Sequence, residues 1–422
     1  MERLLHYIWK HKIFPLKQLE TTSGMLVEVI DSGLHNSDSG PDFFNAKVKI
    51  NETLWVGNIE IHSKASDWFR HGHDKDKVYD SVILHIADEV DCDVFRTNGD
   101  KIPQIKLSCP DYIERNYEKL HNADALPACY GVIPKISKFS INSWLSVLQS
   151  ERLMHKAEAI NVRLDHSNGN WEDAFFVTLA RNFGFGLNGD AFEKWAGLIP
   201  LRAVDKHRDS LFKVEAIFFG QAGLLEESLD DAYYKNLQKE FSYLKHLFEL
   251  PVMDVSLWRF LRSRPGNFPH IRIAQLASLY YRKWGLFSQL MEAESLKSVR
   301  DILQVSTSDY WEEHYQFYSK SPKRTKNLSN SSSNLLIINT VIPFLYAYGR
   351  HRADESLCER ASHFLEELGA EDNYVTRMWN GVGLTVHNAA DSQALLELKK
   401  EYCDKKKCLY CRIGFEYLKQ GK

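Results

Sequence analysis

The sequence lacks any apolar run long enough to cross a membrane. Its longest candidate, residues 335–348, falls short of the roughly 18 apolar residues that a spanning helix needs, and it includes Pro343. The first residues, MERLLHYIWKHKIFPL, interrupt their apolar stretch with charges such as Glu2 and Lys10, which is not typical of a signal peptide. We therefore expect neither a membrane anchor nor a secretory leader.

The chain also lacks a surplus of either charge and an abundance of cysteine. It has 53 Lys and Arg against 56 Asp and Glu, a formal net charge of −3, so overall basicity cannot attach it to nucleic acid. Its seven cysteines among 422 residues are odd in number and sparse, as is typical of a reducing compartment. We predict a cytoplasmic protein without membrane contact, whose candidate partners are locally bound nucleic acid or another protein.

The length is sufficient for two or three domains of roughly 100–200 residues. A first amphipathic helix and short β-branched runs at 25–30, 46–50, 54–62, 81–87 and 102–107 predict an α/β domain over residues 1–125. Leucine-rich segments with a period near 3.6 predict an all-helical domain over 138–400. Within it, the polar stretch 319–334 predicts a mobile loop. Residues 401–422 are treated as a separate cysteine-rich, metal-binding tail.

The densest chemistry lies in two motifs, GPDF at 40–43 and EIHSK at 60–64. Strand alternation places Glu60, His62 and Lys64 on one face, and an antiparallel neighbour would bring Asp42 beside Glu60. Two close carboxylates form a site for Mg²⁺ or Mn²⁺, which polarises a phosphate and lowers the pKa of bound water. In this interpretation Lys64 stabilises charge in the transition state, and His62 activates or positions the water.

Histidines crowd the same region and suggest a different metal. They are His35, His62, His71, His73 and His85. With the nearby carboxylates of Asp67, Asp74 and Asp80 they would form a Zn²⁺ or other transition-metal site of a metallohydrolase. Their spacing matches no standard zinc signature, and this site would either replace the acidic one or extend it.

A second cluster lies at the tail, where Cys403, Cys408 and Cys411 occur close together. Such a concentration is unexpected in a chain so poor in cysteine, and it indicates Zn²⁺ or an iron–sulfur cluster. Either centre needs a fourth ligand. The candidates are Cys129, Cys358 and His387.

Four arginines lie in and around the segment WRFLRSRPGNFPHIRIAQLA. They are Arg259, Arg262, Arg264 and Arg272. With aromatic residues beside them, they predict a patch that contacts nucleic-acid phosphates. The competing interpretation is an ordinary solvated surface.

The first pair of motifs resembles the PD-(D/E)xK nuclease superfamily, in which Pro-Asp opens one strand and an acid-x-Lys motif lies on the next. Pro41, Asp42 and Glu60 match this pattern, whereas His62 occupies the lysine position. The resemblance implies a restriction-endonuclease-like fold for the α/β domain. We therefore expect an α+β protein in which this domain is followed by the all-helical region and the cysteine-rich tail. Some nucleases of that superfamily carry a four-cysteine iron–sulfur staple, and the tail is similar to it in arrangement, although the spacing differs.

The markers GPDF, GNIEIHSKASDW, SVILHIADEV, FFGQAGLL and RPGNFPHIRIAQLA resemble an uncharacterised bacterial domain-of-unknown-function family over nearly the whole chain. That resemblance implies no activity. The leading hypothesis is therefore a divalent-metal-dependent nuclease that cleaves DNA or RNA. Its alternatives are a non-catalytic scaffold for nucleic acid or protein on a degenerate nuclease fold, and the His-rich metallohydrolase.

Overall fold

The computed structural model describes residues 2–14, 18–36, 38–123 and 127–420. It divides the chain into two compact units. The first, which we call the sheet unit, comprises Met1–Trp144, Met378–Leu384 and Leu398–Lys422. The second, the helical unit, comprises Leu145–Arg377 and Thr385–Glu397. The predicted α+β class is confirmed at this level, since a sheet region precedes a large helical one.

The strands follow the predicted β-branched runs closely. In chain order they are β1 (Leu19–Glu20), β2 (Leu26–Asp31), β3 (Leu34–His35), β4 (Phe43–Ile50), β5 (Thr53–Lys64), β6 (Val82–Glu89), β7 (Gln104–Lys106), β8 (His314–Gln316) and β9 (Ser319–Lys320). The first seven form one mixed sheet in the order β1-β2-β4-β5-β6-β7, with β3 also paired to β4. The last two form a separate hairpin in the helical unit.

The direction of pairing changes in the middle of the sheet, at β5. Strand β4 is antiparallel to both of its neighbours, β2 and β5, whereas β6 runs parallel to β5 and β7 runs parallel to β6. Strand β6 is buried over six consecutive residues, which is typical of a parallel strand covered on both faces. The second half of β5, where it pairs with β6, buries four consecutive residues, and two of them, Glu60 and His62, are polar.

The helices account for most of the remaining chain. They are α1 (Glu2–Lys10), α2 (Asp67–Arg70), α3 (Asp111–Asn122), α4 (Lys138–His166), α5 (Trp171–Phe183), α6 (Gly189–Ala196), α7 (Leu201–Lys206), α8 (Leu211–Gln221), α9 (Ala232–Phe248), α10 (Pro269–Arg282), α11 (Leu286–Glu292), α12 (Leu296–Leu303), α13 (Asp309–Glu312), α14 (Asn330–Leu336), α15 (Ile342–Arg352), α16 (Glu355–Glu367), α17 (Tyr374–Gly381), α18 (Ala389–Glu397) and α19 (Arg412–Leu418). A π-helical turn, Ile337–Val341, joins α14 to α15. Among the described residues, no helix combines the length and the apolar character needed to cross a bilayer.

Helix α1 covers the sheet with the apolar face that its sequence predicts. Leu4, Leu5, Ile8 and Trp9 are all buried. The indole nitrogen of Trp9 donates a hydrogen bond to the carbonyl of Ser32 at 3.0 Å, so the ring is satisfied as well as packed. This face fixes the position of α1, and its remaining polar side chains lie near the start of β4.

The tail is part of the sheet unit, so the predicted division at 125, 138 and 401 differs from the observed one. Phe415 of α19 packs against His11, with ring centroids 4.7 Å apart. The side-chain amide of Asn116 donates to the carbonyls of Leu418 and Gln420 at 3.2 and 2.7 Å. These contacts are between residues hundreds of positions apart, and composition along the chain does not report them.

The stretch 319–334, predicted to be a mobile solvated loop, has defined contacts in the structure. Lys326 is buried, and its ammonium donates to the main-chain carbonyls of Trp311 and of Glu312, the latter at 2.9 Å. Its own carbonyl accepts a hydrogen bond from Gln275 at 3.0 Å, and Leu328 is buried beside it. The basic composition of the stretch does not show this, because the Lys326 ammonium donates hydrogen bonds to buried carbonyl oxygens instead of facing water.

Candidate metal centre

The register of β4 and β5 brings Asp42 and Glu60 together, as the sequence predicted. Phe43 lies opposite Ile59, so Asp42, just before β4, is adjacent to Glu60. The Asp42 amide donates to Glu60 Oε2 at 3.1 Å, and the Ile61 amide donates to Asp42 Oδ2 at 2.9 Å. Backbone hydrogen bonds therefore hold both carboxylates in place at the point where the two strands meet.

These two carboxylates lie in very different environments. The Glu60 side chain is only 7% exposed, against 21% for Asp42. Burial, together with the charge of Asp42, raises the pKa of Glu60 to about 9. Asp42 lies beside an imidazole, with His6 Nε2 3.3 Å from its Oδ2. Although burial opposes it, that contact raises the pKa of His6 above its ordinary value.

A cluster of three imidazoles lies beside Glu60. His62, His71 and His73 place ring nitrogens within 4.8 Å of one another. Glu60 Oε1 lies 3.3 Å from His73 Nε2 and 3.6 Å from His62 Nε2. The acidic pair and the histidine cluster, which the sequence left as alternatives, thus share Glu60.

The turn after α2 explains how His71 and His73 both reach β5. Gly72 between them adopts a φ of 77°, a left-handed conformation that glycine takes without strain. A side chain at this position would meet no neighbour within 4 Å, so the requirement comes from the backbone alone. The reversal places His73 in a 3₁₀ turn, His73–Lys75, with its ring stacked on Tyr79 at 3.7 Å.

A line of hydrogen-bonded side chains fixes the tautomer of His62. The amide nitrogen of Gln104 donates to the Cys92 carbonyl at 3.2 Å and to His85 Nδ1 at 3.3 Å. His85 must then carry its proton on Nε2, which faces His62 Nδ1 at 2.9 Å. His62 in turn directs its Nε2–H at His71 Nδ1, 3.2 Å away, and towards Glu60.

Burial keeps both rings of this line neutral. It lowers the pKa of His62 to about 2 and that of His85 to about 3, and the neighbouring imidazoles contribute in each case. His85 is fully buried, as expected for a core histidine, but its role is to orient His62. His62 is therefore a neutral hydrogen-bond donor at the position where the resemblance implies a lysine.

Lys64 is directed elsewhere. Its Nζ pairs with Glu89 Oε2 at 2.8 Å, on the neighbouring strand, and both side chains are more than half exposed. Asp67 is likewise used locally, accepting from the Lys64 amide at 3.3 Å and pairing with Arg70 at 2.9 Å. Asp80 binds Thr97. None of these three contributes the contact that the sequence interpretation gave it.

The structure adds residues of α1 that the sequence interpretation missed. Arg3, His6 and Lys10 lie on one face of the helix and line a small cleft of about 20 Å³ with Tyr410 and His35. Lys10 Nζ stands 5.9 Å from the centre of the Tyr410 ring, which is 53% exposed. Their spacing of three and four residues could have predicted one polar helix face. The apolar residues between them drew attention only to the face that packs on the sheet.

Four cysteines line one small cavity elsewhere in the sheet unit. They are Cys129, Cys403, Cys408 and Cys411. Of the three candidates for a fourth member of the tail cluster, the structure brings Cys129 to it. Cys358 lies in α16, where its thiol faces the carbonyl of Tyr346 at 3.7 Å, and the amide of His387 is bound to Asp391 in the helical unit.

The predicted arginine patch is divided between surface and interior. Arg259, Arg262 and Arg264 are exposed. Arg272 is 5% exposed, and its guanidinium donates to Gln275 at 2.8 Å and to Asn267 at 2.6 Å. Because the Arg272 guanidinium is buried and already hydrogen-bonded, it does not suit a contact to nucleic acid. The three exposed arginines remain candidates for that contact.

A family model described as "Protein of unknown function (DUF2851)" matches residues 2–374. The chain belongs to this family. The matched part of this DUF2851 chain includes the Asp42–Glu60 site and Cys129, and it ends before the three tail cysteines. Neither the curated proteins nor the solved structures contain a match to the chain.

Proposed function

We propose that this protein is a metal-dependent phosphodiesterase acting on nucleic acid. Its catalytic metal would be held by the carboxylates of Asp42 and Glu60 together with the imidazoles of His71 and His73. His62 would donate a hydrogen bond into the same space.

The observation that carries this proposal is the surroundings of Glu60. A carboxylate this well buried lies beside a second carboxylate and within 3.6 Å of two imidazole nitrogens. Two carboxylates at such a distance repel when both are ionised, and a divalent cation removes that repulsion while taking the same oxygen atoms as ligands. Mixed oxygen and imidazole donors favour Mn²⁺ or Zn²⁺ over Mg²⁺.

The chemistry that such a metal supplies is activation of water and polarisation of a phosphoryl oxygen. The Nε2–H of His62 would orient the water or the phosphate oxygen as a neutral donor, because its low pKa prevents it from acting as a cation. The proposal is supported by the position of Pro41-Asp42 directly before β4 and of Glu60 on the neighbouring strand β5.

Nucleic acid is the favoured substrate because of the side chains beside Asp42. His6 contacts Asp42 directly, and on the same helix face Arg3 and Lys10 add positive charge next to the exposed ring of Tyr410. Cations that neutralise phosphates, together with an aromatic face for stacking, are the usual means of holding single-stranded nucleic acid. The overall charge of −3 permits only such a local contact.

The proposal is tested by measuring cleavage of labelled single-stranded and duplex DNA and RNA with added Mn²⁺, Zn²⁺ or Mg²⁺. We expect turnover with wild type, and a loss of about 100-fold or more in Asp42→Ala and in the near-isosteric Glu60→Gln, since each removes a metal ligand. Glu89→Gln is the matched control, because Glu89 is an exposed carboxylate on the adjacent strand.

Circular dichroism and thermal unfolding of each variant would establish that it remains folded. Equal cleavage by wild type, Asp42→Ala and Glu60→Gln would contradict the assignment, as would a wild-type protein that cleaves none of these substrates with any of the metals.

One observation favours a second candidate, a binding scaffold without turnover. The only lysine of the EIHSK motif is paired with Glu89, and His62 stands at the lysine position. Salt-dependent binding of nucleic acid by wild type, with no cleavage under any of the metal conditions, would support this candidate.

A further inference from the structure

We propose that Cys129, Cys403, Cys408 and Cys411 bind an iron–sulfur cluster that holds the turn bearing Tyr410 against the sheet unit. The inference is independent of any cleavage activity. It rests on how these four thiols are placed, and it differs from the alternative of a single structural zinc ion.

The four cysteines share one cavity although the chain separates Cys129 widely from the other three. The cavity measures about 40 Å³, and besides the thiols it is lined mainly by apolar or small residues such as Leu120, Ala123 and Gly414. One water needs roughly 10–15 Å³ of such space, so there is room for more than a single small species. Because the walls offer little else than sulfur as a ligand, a thiophilic metal centre is the occupant that fits.

The spacing of the sulfur atoms distinguishes a cluster from zinc. A tetrahedral zinc ion with Zn–S bonds of about 2.3 Å holds its sulfur ligands about 3.8 Å apart. Among the described residues, the only group of three or more ligand side chains whose ligand atoms lie mutually within 4.8 Å is His62, His71 and His73. No three of the cysteine sulfur atoms are therefore close enough to share one zinc ion.

An iron–sulfur cluster accommodates the wider spacing, since iron and sulfide atoms lie between the four thiolates. Binding would replace the four thiol protons by sulfur–iron bonds and release those protons to solvent. The thiols otherwise stay protonated, because burial raises the pKa of Cys129 to about 12 and that of Cys411 to about 11.

The environment of Cys411 is suited to a thiolate ligand despite that burial. Cys411 precedes α19, and although burial raises the pKa of its thiol, the backbone N–H groups of Ile413 and Gly414 favour its charged form. The Trp144 indole nitrogen is buried without a nitrogen or oxygen partner. N–H groups directed at sulfur are the contacts that tune cluster-bound thiolates.

A bound cluster would fix the position of the short turn between Cys408 and Cys411. Cys408 and Cys411 flank Leu409 and Tyr410, and these two side chains line the cleft with Arg3 and Lys10. Gly414 lies so close behind the turn that a Cβ there would be 2.2 Å from the Cys408 carbonyl oxygen. A cluster bound at both ends of this turn would hold Tyr410 in the cleft.

The experiment is to purify the full chain without oxygen, or to reconstitute it with ferrous iron and sulfide, and to measure metals, sulfide and visible absorbance. We expect iron and acid-labile sulfide in equal amounts, about two or four of each per chain, with broad visible absorbance. Hydrogen exchange in 401–415 should slow about tenfold or more in the loaded wild-type protein relative to its metal-free form.

Cys129→Ser and Cys411→Ser should lose the absorbance and the iron, whereas Cys358→Ser, which alters a thiol outside the cluster, should retain both. The wild-type metal content tests the inference even if a variant fails to fold. One zinc per chain with no iron or sulfide, neither metal after reconstitution, or absorbance that survives both substitutions would overturn it.

Discussion

Buried carboxylates in the two units have different neighbours. In the helical unit two of them have complementary partners: Glu215 accepts from Ser308 at 2.9 Å and from the Tyr233 hydroxyl, and Glu397 contacts Arg152 at 3.3 Å as well as His155. In the sheet unit, Glu60 lies beside Asp42 and a group of mutually contacting imidazoles.

This difference in neighbours distinguishes carboxylates that stabilise the fold from the two carboxylates that we propose bind a metal. A buried charge with neutral donors or an opposite charge recovers much of its desolvation cost. A pair of carboxylates among crowded imidazoles does not, and burial beside Asp42 raises the pKa of Glu60 accordingly. Displaced groups of this kind are typical of functional sites, since the missing partner is supplied by what binds there.

The most demanding test of this contrast is metal affinity. The double variant His71→Ala/His73→Ala should bind Mn²⁺ about 10³-fold more weakly than wild type, because loss of even an outer-shell partner typically costs 10–100-fold and two ligands are removed. Isothermal titration calorimetry would measure the change. His363→Ala, an exposed histidine of the helical unit, serves as control and should bind as wild type does.

If the double variant binds Mn²⁺ as tightly as wild type does, His71 and His73 are not metal ligands. They are then ordinary packing residues, like those of the helical unit. The free energy of unfolding of the double variant without metal should be lower than that of wild type, since His71 is exposed but His73 is buried and stacked on Tyr79, so circular dichroism must first establish that the variant is folded.

A smaller effect is expected from the buried carboxyl of the helical unit. Burial raises the pKa of Glu215 to about 7, so between pH 4.5 and 7 the unfolded chain releases a proton that the folded chain keeps. Wild type therefore loses stability as pH rises through this window. At about 1.4 kcal/mol for each tenfold change in proton affinity, the loss amounts to roughly 3 kcal/mol.

Glu215→Gln should be free of that loss, so its stability relative to wild type should increase between pH 4 and pH 8. Urea unfolding at the two pH values measures this difference, with the exposed Glu226→Gln as the matched control. A relative stability that does not change with pH would show that the Glu215 carboxyl ionises in the folded protein as it does in the unfolded chain.

The smallest effect is expected at Lys64. Since its ammonium is paired at the surface with Glu89, Lys64→Ala should change cleavage by less than about 3-fold, in line with the small energies of exposed ion pairs. A loss comparable to that of Glu60→Gln, measured in the same assay, would mean that Lys64 turns into the site and restores the role that the sequence interpretation gave it.

Local pattern was enough to predict the strands and the meeting of the two carboxylates. Alternation and turn residues place Asp42 and Glu60 on adjacent antiparallel strands, and one residue of slip in either strand would reverse the faces. The same reasoning predicted the apolar face of α1, because helical periodicity depends on neighbours three and four positions away.

Pattern could not predict which way a long polar side chain turns. Lys64 lies on the expected strand, yet its tip pairs with Glu89 of β6, a strand formed by residues about twenty positions further along the chain. Arg272 and Lys326 carry charges that the sequence interpretation placed at the surface, yet each is buried and donates to side-chain or main-chain oxygen atoms.

The sequence by itself determined that the two halves of the acidic motif lie on adjacent strands and that three cysteines lie together in the tail, since both depend on local spacing. Only the tertiary structure decided which cysteine joins the tail and which histidines join Glu60. Cys129 reaches Cys411 because α19 packs back on α1 and α3, and His73 reaches Glu60 because the chain reverses at Gly72. Contacts made by packing between distant segments leave no period in the sequence, because their energy depends on surfaces that exist only after folding.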